Sequence, residues 1–304
     1  MSEPTLTVVV CTYNRAELLA ESLEAIVREL EATPAIELVV VDNNSSDETP
    51  EVAAAKVRGV RAARVVREPA QGLSHARNRG LAEASAPWVA YVDDDALVER
   101  GWAARALATI ADGAFDAFGG VYVPWYKYGR PRWFRDSYAS NAGIAERRLL
   151  GEREFFSGGN AVLSRRALDE VGGFSSELGM KGAVRAYGEE TAVQIRMRAR
   201  GLRIGFDPEL IVRHVVAPQK LQVRGLLANY YAAGRDYWRT FEHESTWLRR
   251  ASAVGAGFAV GALRLPTELW RLRRADYYVE NALIEIGGPA MYGIGQLAGR
   301  GARS

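Results

Sequence analysis

The sequence predicts an α/β fold: a mostly parallel, twisted sheet with helices on both faces, followed by a helical C-terminal extension. Two patterns carry this. Short apolar runs rich in valine, at residues 6–11, 36–41 and 88–92, alternate with stretches whose apolar residues recur at helical spacing. Such alternation favours parallel strands joined by crossover helices. Each run also stops at a polar or acidic loop: Thr12-Tyr13-Asn14-Arg15, Asp42-Asn43-Asn44-Ser45-Ser46-Asp47 and Asp93-Asp94-Asp95. The carboxyl ends of parallel strands face one crevice, so these loops should converge.

The elements follow in order. Residues 6–11 read as a buried strand, and 16–30 as a helix with Leu19, Leu23, Ile26, Val27 and Leu30 on one face. Residues 36–41 form the next strand; the Asn, Ser and Asp after it suit a turn and a helix cap. A third strand is expected over 60–66, and a helix opens at Gly72 and runs to Ala84. The segment 115–154 reads as irregular, with seven aromatic residues between Tyr122 and Tyr138. Such rings either stack on sugars or single-stranded nucleic acid, or plug the core. A strand over 155–163 is entered through Gly158 and Gly159, which let backbone approach a ligand closely. A short helix follows over 165–171. Glu189 and Glu190 fall in the first turn of a further helix, where the dipole favours negative charge. Two apolar segments, 202–207 and 211–216, end this part, and the second carries His214, which by itself reads as a core histidine.

Tyr13 and Asp42 lie where the crevice should be, and an aromatic ring, an acid and amides suit a nucleotide base and ribose. Asn43 to Ser46 reads as turn chemistry. Three adjacent carboxylates repel one another. A divalent cation would neutralise them, and a solvated acidic turn accounts for them equally well.

Composition narrows the partners. The chain has 304 residues, 48% hydrophobic and 25% charged, with a net charge of +2. That supports a sizeable core and offers no bulk electrostatic case for nucleic acid. The charge is uneven: from Gln219 onward there are 12 basic and 7 acidic residues, a net of +5, which leaves −3 for the rest. Residues 251–263 and 286–299 carry no charge, are shorter than the roughly 18 residues a span needs, and are flanked by arginines. The expectation is a division into 1–218 and 219–304, with the second part lying on an anionic membrane surface or packing on a partner or on the body. The single cysteine, Cys11, excludes an internal disulfide and fits a reducing compartment. The start has neither a basic nor an apolar leading segment, so a cytoplasmic protein, with peripheral attachment to the inner membrane face as candidate, is expected.

With these residues in hand, the chain resembles glycosyltransferase family 2, enzymes of the GT-A fold. The resemblance runs from about Thr5 to Val216. It rests on residues 8–15, 39–45 and 72–78, the Asp triplet, Gly158-Gly159-Asn160 with Val171-Gly172-Gly173-Phe174, Gly188-Glu189-Glu190-Thr191, and His214, in the family's order. It implies a nucleotide-sugar donor, a UDP-sugar foremost, a saccharide or lipid-linked acceptor, and Mn²⁺ or Mg²⁺. By the same resemblance Tyr13 would stack on the base, Asp42 would bond its edge, and Thr12, Asn14 and Arg77 would line the donor pocket with Asp93. Asp94 would meet ribose or bridge toward the metal, held by Asp95 and His214. Gly158, Gly159 and Asn160 would form a donor–acceptor loop. Glu190 would be the catalytic base; the family more often has Glu-Asp here, so Glu189 stays a candidate too.

The chemistry is consistent with this. A departing diphosphate needs its charge neutralised, and an acceptor hydroxyl needs a base within reach. A single base on the far face gives direct displacement with inversion. A sugar nucleotidyltransferase would share the sheet, but no Gly-rich basic phosphate loop follows the first strand. A non-catalytic nucleotide-sugar-binding scaffold is the third reading.

Overall fold

The computed structural model describes residues 3–182, 184–241 and 246–299. Chain contacts divide it into two units. The first comprises Met1–Trp125, Ser140–Glu177 and Val193–Val215; the second comprises Tyr126–Ala139, Leu178–Ala192 and Val216–Ser304.

The first unit contains all strands among the described residues. They are β1 (Leu6–Thr12), β2 (Ile36–Asp42), β3 (Ala63–Arg67), β4 (Trp88–Asp93), β5 (Ala96–Val98), β6 (Ala117–Trp125), β7 (Arg148–Leu149), β8 (Asn160–Ser164) and β9 (Ile204–Val215). The sheet order is β3-β2-β1-β4-β8-β6-β9-β5, with β7 added on β9. β3, β2, β1 and β4 are mutually parallel. Beyond β4 the sheet is mixed, because β8 and β5 run antiparallel to their neighbours.

The valine-rich runs are apolar on both faces because both sheet faces are covered; the buried polar pair Thr7–Glu37, joined by a hydrogen bond of 2.6 Å, is the exception in β1 and β2. In β1, β2 and β4, Val8, Val10, Leu38, Val40, Ala90 and Val92 meet α1 (Ala16–Ala32), α2 (Thr49–Val57) and α4 (Trp102–Asp112). The alternate residues Val9, Val39, Val41, Val89 and Tyr91 meet α3 (Leu73–Glu83), α5 (Arg165–Glu170) and the later part of α6 (Glu189–Ala199).

Four local expectations change. The strand expected over 155–163 begins only at Asn160, because the chain turns at Gly158 and Gly159. The third strand starts at Ala63, not residue 60, because Ala62 turns the chain with φ 57°. The segment 115–154, expected to be irregular, contains β6. Gly119 and Gly120 hide its pattern: a Cβ on the first would overlap Phe156, and one on the second would overlap the Leu210 carbonyl oxygen. These glycines mark close approaches inside a sheet rather than turns. The two segments read at 202–207 and 211–216 form one strand, β9, with a register shift opposite Gly120 and Val121.

The second unit is helical: α7 (Val223–Thr240), α8 (Trp247–Arg271) and α9 (Val279–Ala298). The rings of the 126–139 loop belong here. Phe134 is buried with Val216, Leu226 and Ile284, and Trp133 and Tyr138 pack on that cluster. Of the two uses weighed for these aromatics, Phe134 serves as a core plug.

Candidate active site

Three neighbouring parallel strands end together. Thr12 pairs with Asp42 across β1 and β2, and Cys11 pairs with Asp93 across β1 and β4. The polar loops therefore leave the sheet side by side, at the edge where open α/β sheets take ligands. Thr12, Asp42, Asp94 and Asp95 are all buried.

Asn14 has φ 50°, a conformation that Asn tolerates. Its amide locks the first loop to the second: Ser46 N–H donates to Asn14 Oδ1 at 2.8 Å, and Asn14 N–H donates to Ser45 Oγ at 3.0 Å. Asp42 Oδ1 accepts from Ser45 N–H at 3.1 Å. Asn43 does pure turn work. It donates to the Ala70 carbonyl at 2.7 Å and accepts from Gly72 N–H at 2.8 Å, which fixes the entry to α3.

The acid triplet divides by direction. Asp94 Oδ1 and Asp95 Oδ2 take Arg15 Nη1 at 2.9 and 2.6 Å. Asp93 and Asp95 face His214, whose Nε2 lies 3.4 Å from Asp93 Oδ2 and 3.1 Å from Asp95 Oδ1. β5 pairs with β9 so that Ala96 sits opposite His214, and Val215 N–H donates to the Asp95 carbonyl at 2.9 Å. That pairing carries a histidine more than a hundred positions away in sequence onto the carboxylates.

The electrostatics follow from burial and proximity. Burial opposes a proton on His214, but Asp95 and Asp93 overcome it and lift its pKa to about 10. Burial and the neighbouring acids raise Asp94 to about 6, against the pull of Arg15. Asp93 stays below the usual carboxylate range, because the bond and charge of His214 outweigh its burial. Asp94 and burial act oppositely on Arg15, and the net effect holds it firmly charged. Burial pushes the Cys11 thiol up to about 12, which makes it inert.

Asp93, Asp95 and His214 each offer a ligand atom, all within 4.8 Å of one another. Two carboxylate oxygens and an imidazole nitrogen suit a first-row divalent cation. His214 Nδ1 is 3.0 Å from the Val215 carbonyl, to which it donates, leaving Nε2 aimed at the acids. Orientation through the second ring nitrogen is how metal-ligating histidines are held. The residues present fit such a cation.

Gly158 and Gly159 act through the space they leave. Neither has positive φ. A Cβ on Gly158 would stand 2.6 Å from Arg77 Nη2, and one on Gly159 would overlap Asp93 Oδ2. Arg77 is buried against the rings of Tyr91 and Phe174, which touch each other edge to face, with Nη2 3.8 Å from Asp93 Oδ1. Asn160 is fully buried, and its polar atoms are committed: Trp102 Nε1 donates to it at 3.0 Å, and it donates to the Leu210 and Val121 carbonyls at 2.8 and 3.0 Å. It ties the start of β8 to α4, β6 and β9 rather than facing an open cleft.

In the second unit, Gly188 turns the chain with φ 98° into α6, and a Cβ there would overlap the Thr240 hydroxyl. Tyr187 N–H donates to Asp236 Oδ2 at 3.0 Å, and Arg185 Nη1 donates to Asn229 Oδ1 at 2.9 Å. Helix α7 thus fixes where Glu189 and Glu190 begin α6. Glu189 is buried and Glu190 is half-buried.

Sequence reasoning missed two roles here. Arg15 has no role in the sequence reading, although a cation in the loop after β1 lies beside the end of β4 by sheet order alone. Asp93 was placed with the donor, whereas it shares the His214 cluster. Tyr122, whose ring is 5.5 Å from that of His214, had no distinguishing signal among its aromatic neighbours.

A family model for glycosyl transferase family 2 matches residues 7–172. The chain belongs to this family. It is 24% identical over 283 residues to glycosyltransferase AglE of Haloferax volcanii, covering 92% of this chain and 89% of that one. It is 28% identical over 250 residues to succinoglycan biosynthesis protein ExoM of Rhizobium meliloti, covering 80% and 77%. Its fold matches the mannosyltransferase PcManGT from Pyrobaculum calidifontis, solved in complex with GDP-Man and Mn²⁺, with a TM-score of 0.64, 21% identity, and 96% and 86% of the two chains covered. The glycosyltransferase therefore has the GT-A fold with a C-terminal helical part, and it uses a nucleotide-sugar donor and a saccharide acceptor.

Proposed function

We propose that this glycosyltransferase moves a sugar from a nucleoside-diphosphate sugar, a UDP-sugar foremost, to a hydroxyl of a saccharide or lipid-linked acceptor, with inversion at the anomeric carbon. The observation that carries this is the Asp93–Asp95–His214 donor set, which β9 completes beside the carboxyl end of β4, next to the ends of β1 and β2.

In this reading Tyr13 stacks on the base, Asp42 bonds its edge, and Thr12 and Asn14 shape the pocket they enclose. Asp94 meets the ribose, and buried Arg77 supports Asp93 from behind. Asp93, Asp95 and His214 hold Mn²⁺ or Mg²⁺, which when bound neutralises charge on the leaving diphosphate. Glu190 accepts the proton of the acceptor hydroxyl. Its half-buried carboxylate is reachable where that of Glu189 is buried, which favours it as the base. One base and no protein nucleophile give a single displacement. PcManGT is in complex with GDP-Man, so a guanosine donor is the competing nucleotide.

The relatives' names include succinoglycan biosynthesis, which supports a role in polysaccharide or glycolipid assembly. No helix among the described residues is long and apolar enough to cross a membrane. With the basic C-terminal part, this supports a peripheral enzyme on the anionic, cytoplasmic face of a membrane.

A panel of UDP- and GDP-sugars with and without Mn²⁺ tests the donor, because specific ligands raise the melting temperature. Release of nucleoside diphosphate with labelled acceptor supports transfer. Pyrophosphate chemistry, or binding without release, refutes it.

A further inference from the structure

Helix α8 distributes its apolar side chains in reverse. Toward α9 it presents small residues. A Cβ on Gly261 would stand 2.6 Å from the Ile286 carbonyl oxygen, and one on Gly257 would overlap the Pro289 carbonyl. From the facing helix, a Cβ on Gly293 would stand 2.5 Å from the Ala253 carbonyl oxygen. The large apolar side chains point outward: Leu263 is 80% exposed, Trp247 72% and Trp270 61%, with Leu248, Phe258 and Leu269 also exposed. At about 100° per residue, Arg249, Arg250, Arg264, Glu268 and Arg271 fall within an arc of roughly 100°. The opposite half of the helix carries no charged residue from Trp247 to Trp270.

Burial in water drives large apolar side chains inward. Glycines set against a neighbouring backbone, with large apolar residues turned outward, are the habit of helices in lipid, where close backbone approach holds them together. Resting on the membrane reading above, we propose that the outward face of α8 is the docking surface, lying in the headgroup–acyl boundary of an anionic bilayer with its axis in the membrane plane.

Two further observations fit that occupant. Trp247 and Trp270 stand near the two ends of the 25-residue helix, and tryptophan is favoured at the membrane interface. Arg249 lies at one end, and Arg271, Arg273 and Arg274 lie at the other, where anionic headgroups would meet them. A second copy related by a two-fold axis would set arginine ends against arginine ends, which like-charge repulsion opposes.

The test is flotation of the full-length chain with vesicles of phosphatidylglycerol and phosphatidylcholine, against phosphatidylcholine alone, at low and high salt. The expected result is at least about tenfold stronger binding to the anionic vesicles, weakened by salt. The double variant Leu263→Asp/Leu269→Asp should lose at least about tenfold in binding while its melting temperature is kept. Brominated lipids should quench tryptophan fluorescence in the wild type, and much less in Trp247→Phe/Trp270→Phe. If the Asp variant floats like the wild type, another surface meets the membrane and the α8 assignment falls while the membrane reading stands. If the wild type ignores anionic vesicles at low salt, both fall. A dimer that the Asp variant dissolves, with no flotation, gives the face to a second copy and overturns the proposal.

Discussion

The two units hold their parts together by opposite means. In the first, charges are inside and paired: Asp93, Asp94 and Asp95 are met by His214, Arg15 and Arg77, and both sheet faces are covered by large apolar side chains. In the second, α8 and α9 touch through glycines, and much of the large apolar surface of α8 is outside. The first arrangement places three ligand atoms and keeps them there. The second leaves a surface to be covered by something else. The function proposed for one unit therefore depends on fixed side-chain positions, and the docking proposed for the other on what a helix face exposes.

The largest expected effect tests whether the helical unit also supplies chemistry. Glu190→Gln should lower transfer by about 10² to 10⁴-fold. The melting-temperature rise given by nucleoside diphosphate with Mn²⁺ should be unchanged, because the amide is nearly isosteric. Transfer at the wild-type rate would remove Glu190 as the base and move the test to Glu189→Gln.

Asp95→Ala comes next. Partners behind a metal ligand typically contribute about 10 to 100-fold in affinity, and a direct ligand should contribute more. Calorimetry should show Mn²⁺-dependent binding of nucleoside diphosphate weakened by at least about 100-fold, with secondary structure retained. Unchanged binding would sink the cation assignment.

A matched pair of small changes then sharpens the contrast. Gly159→Ala and Gly257→Ala each add one methyl where no space exists, so each should destabilise by about 1–3 kcal/mol. Only Gly159→Ala should also weaken Mn²⁺-dependent binding, because its methyl would displace Asp93. Equal loss of binding in both variants would show that the two units do not act separately.

Much of the parallel half of the fold was legible in the sequence, because valine-rich runs covered on both faces leave no other reading. So was the convergence of Thr12, Asp42 and the acid triplet, which needs only strand order. The rest depends on pairings between residues distant in sequence. The bond between the Val215 N–H and the Asp95 carbonyl brings His214 to the acids, and no local pattern announces it. β6 fell in a segment read as irregular because the atoms that exclude a side chain at Gly119 and Gly120 lie far along the chain, on Phe156 before β8 and on Leu210 in β9. Asn160 looked like part of a ligand loop because its three partners lie on three other segments.

The smallest effect concerns Arg15, the cation that already sits on the acids. Its side chain is 38% exposed, so its pairing with Asp94 and Asp95 is partly screened. Arg15→Met should lower stability by only about 1 kcal/mol, which melting curves without metal would record. Asp94 and Asp95 then lose the partner they share and His214 alone faces Asp95, so a divalent cation has more to offset in the variant than in the wild type. Added Mn²⁺ should therefore raise the melting temperature of Arg15→Met by more than it raises that of the wild type. That outcome would make Arg15 a stand-in that yields to the metal. A smaller rise in the variant would mean the reverse: Arg15 holds Asp95 in place for the cation, and the first unit needs its arginine as well as its acids to form the site.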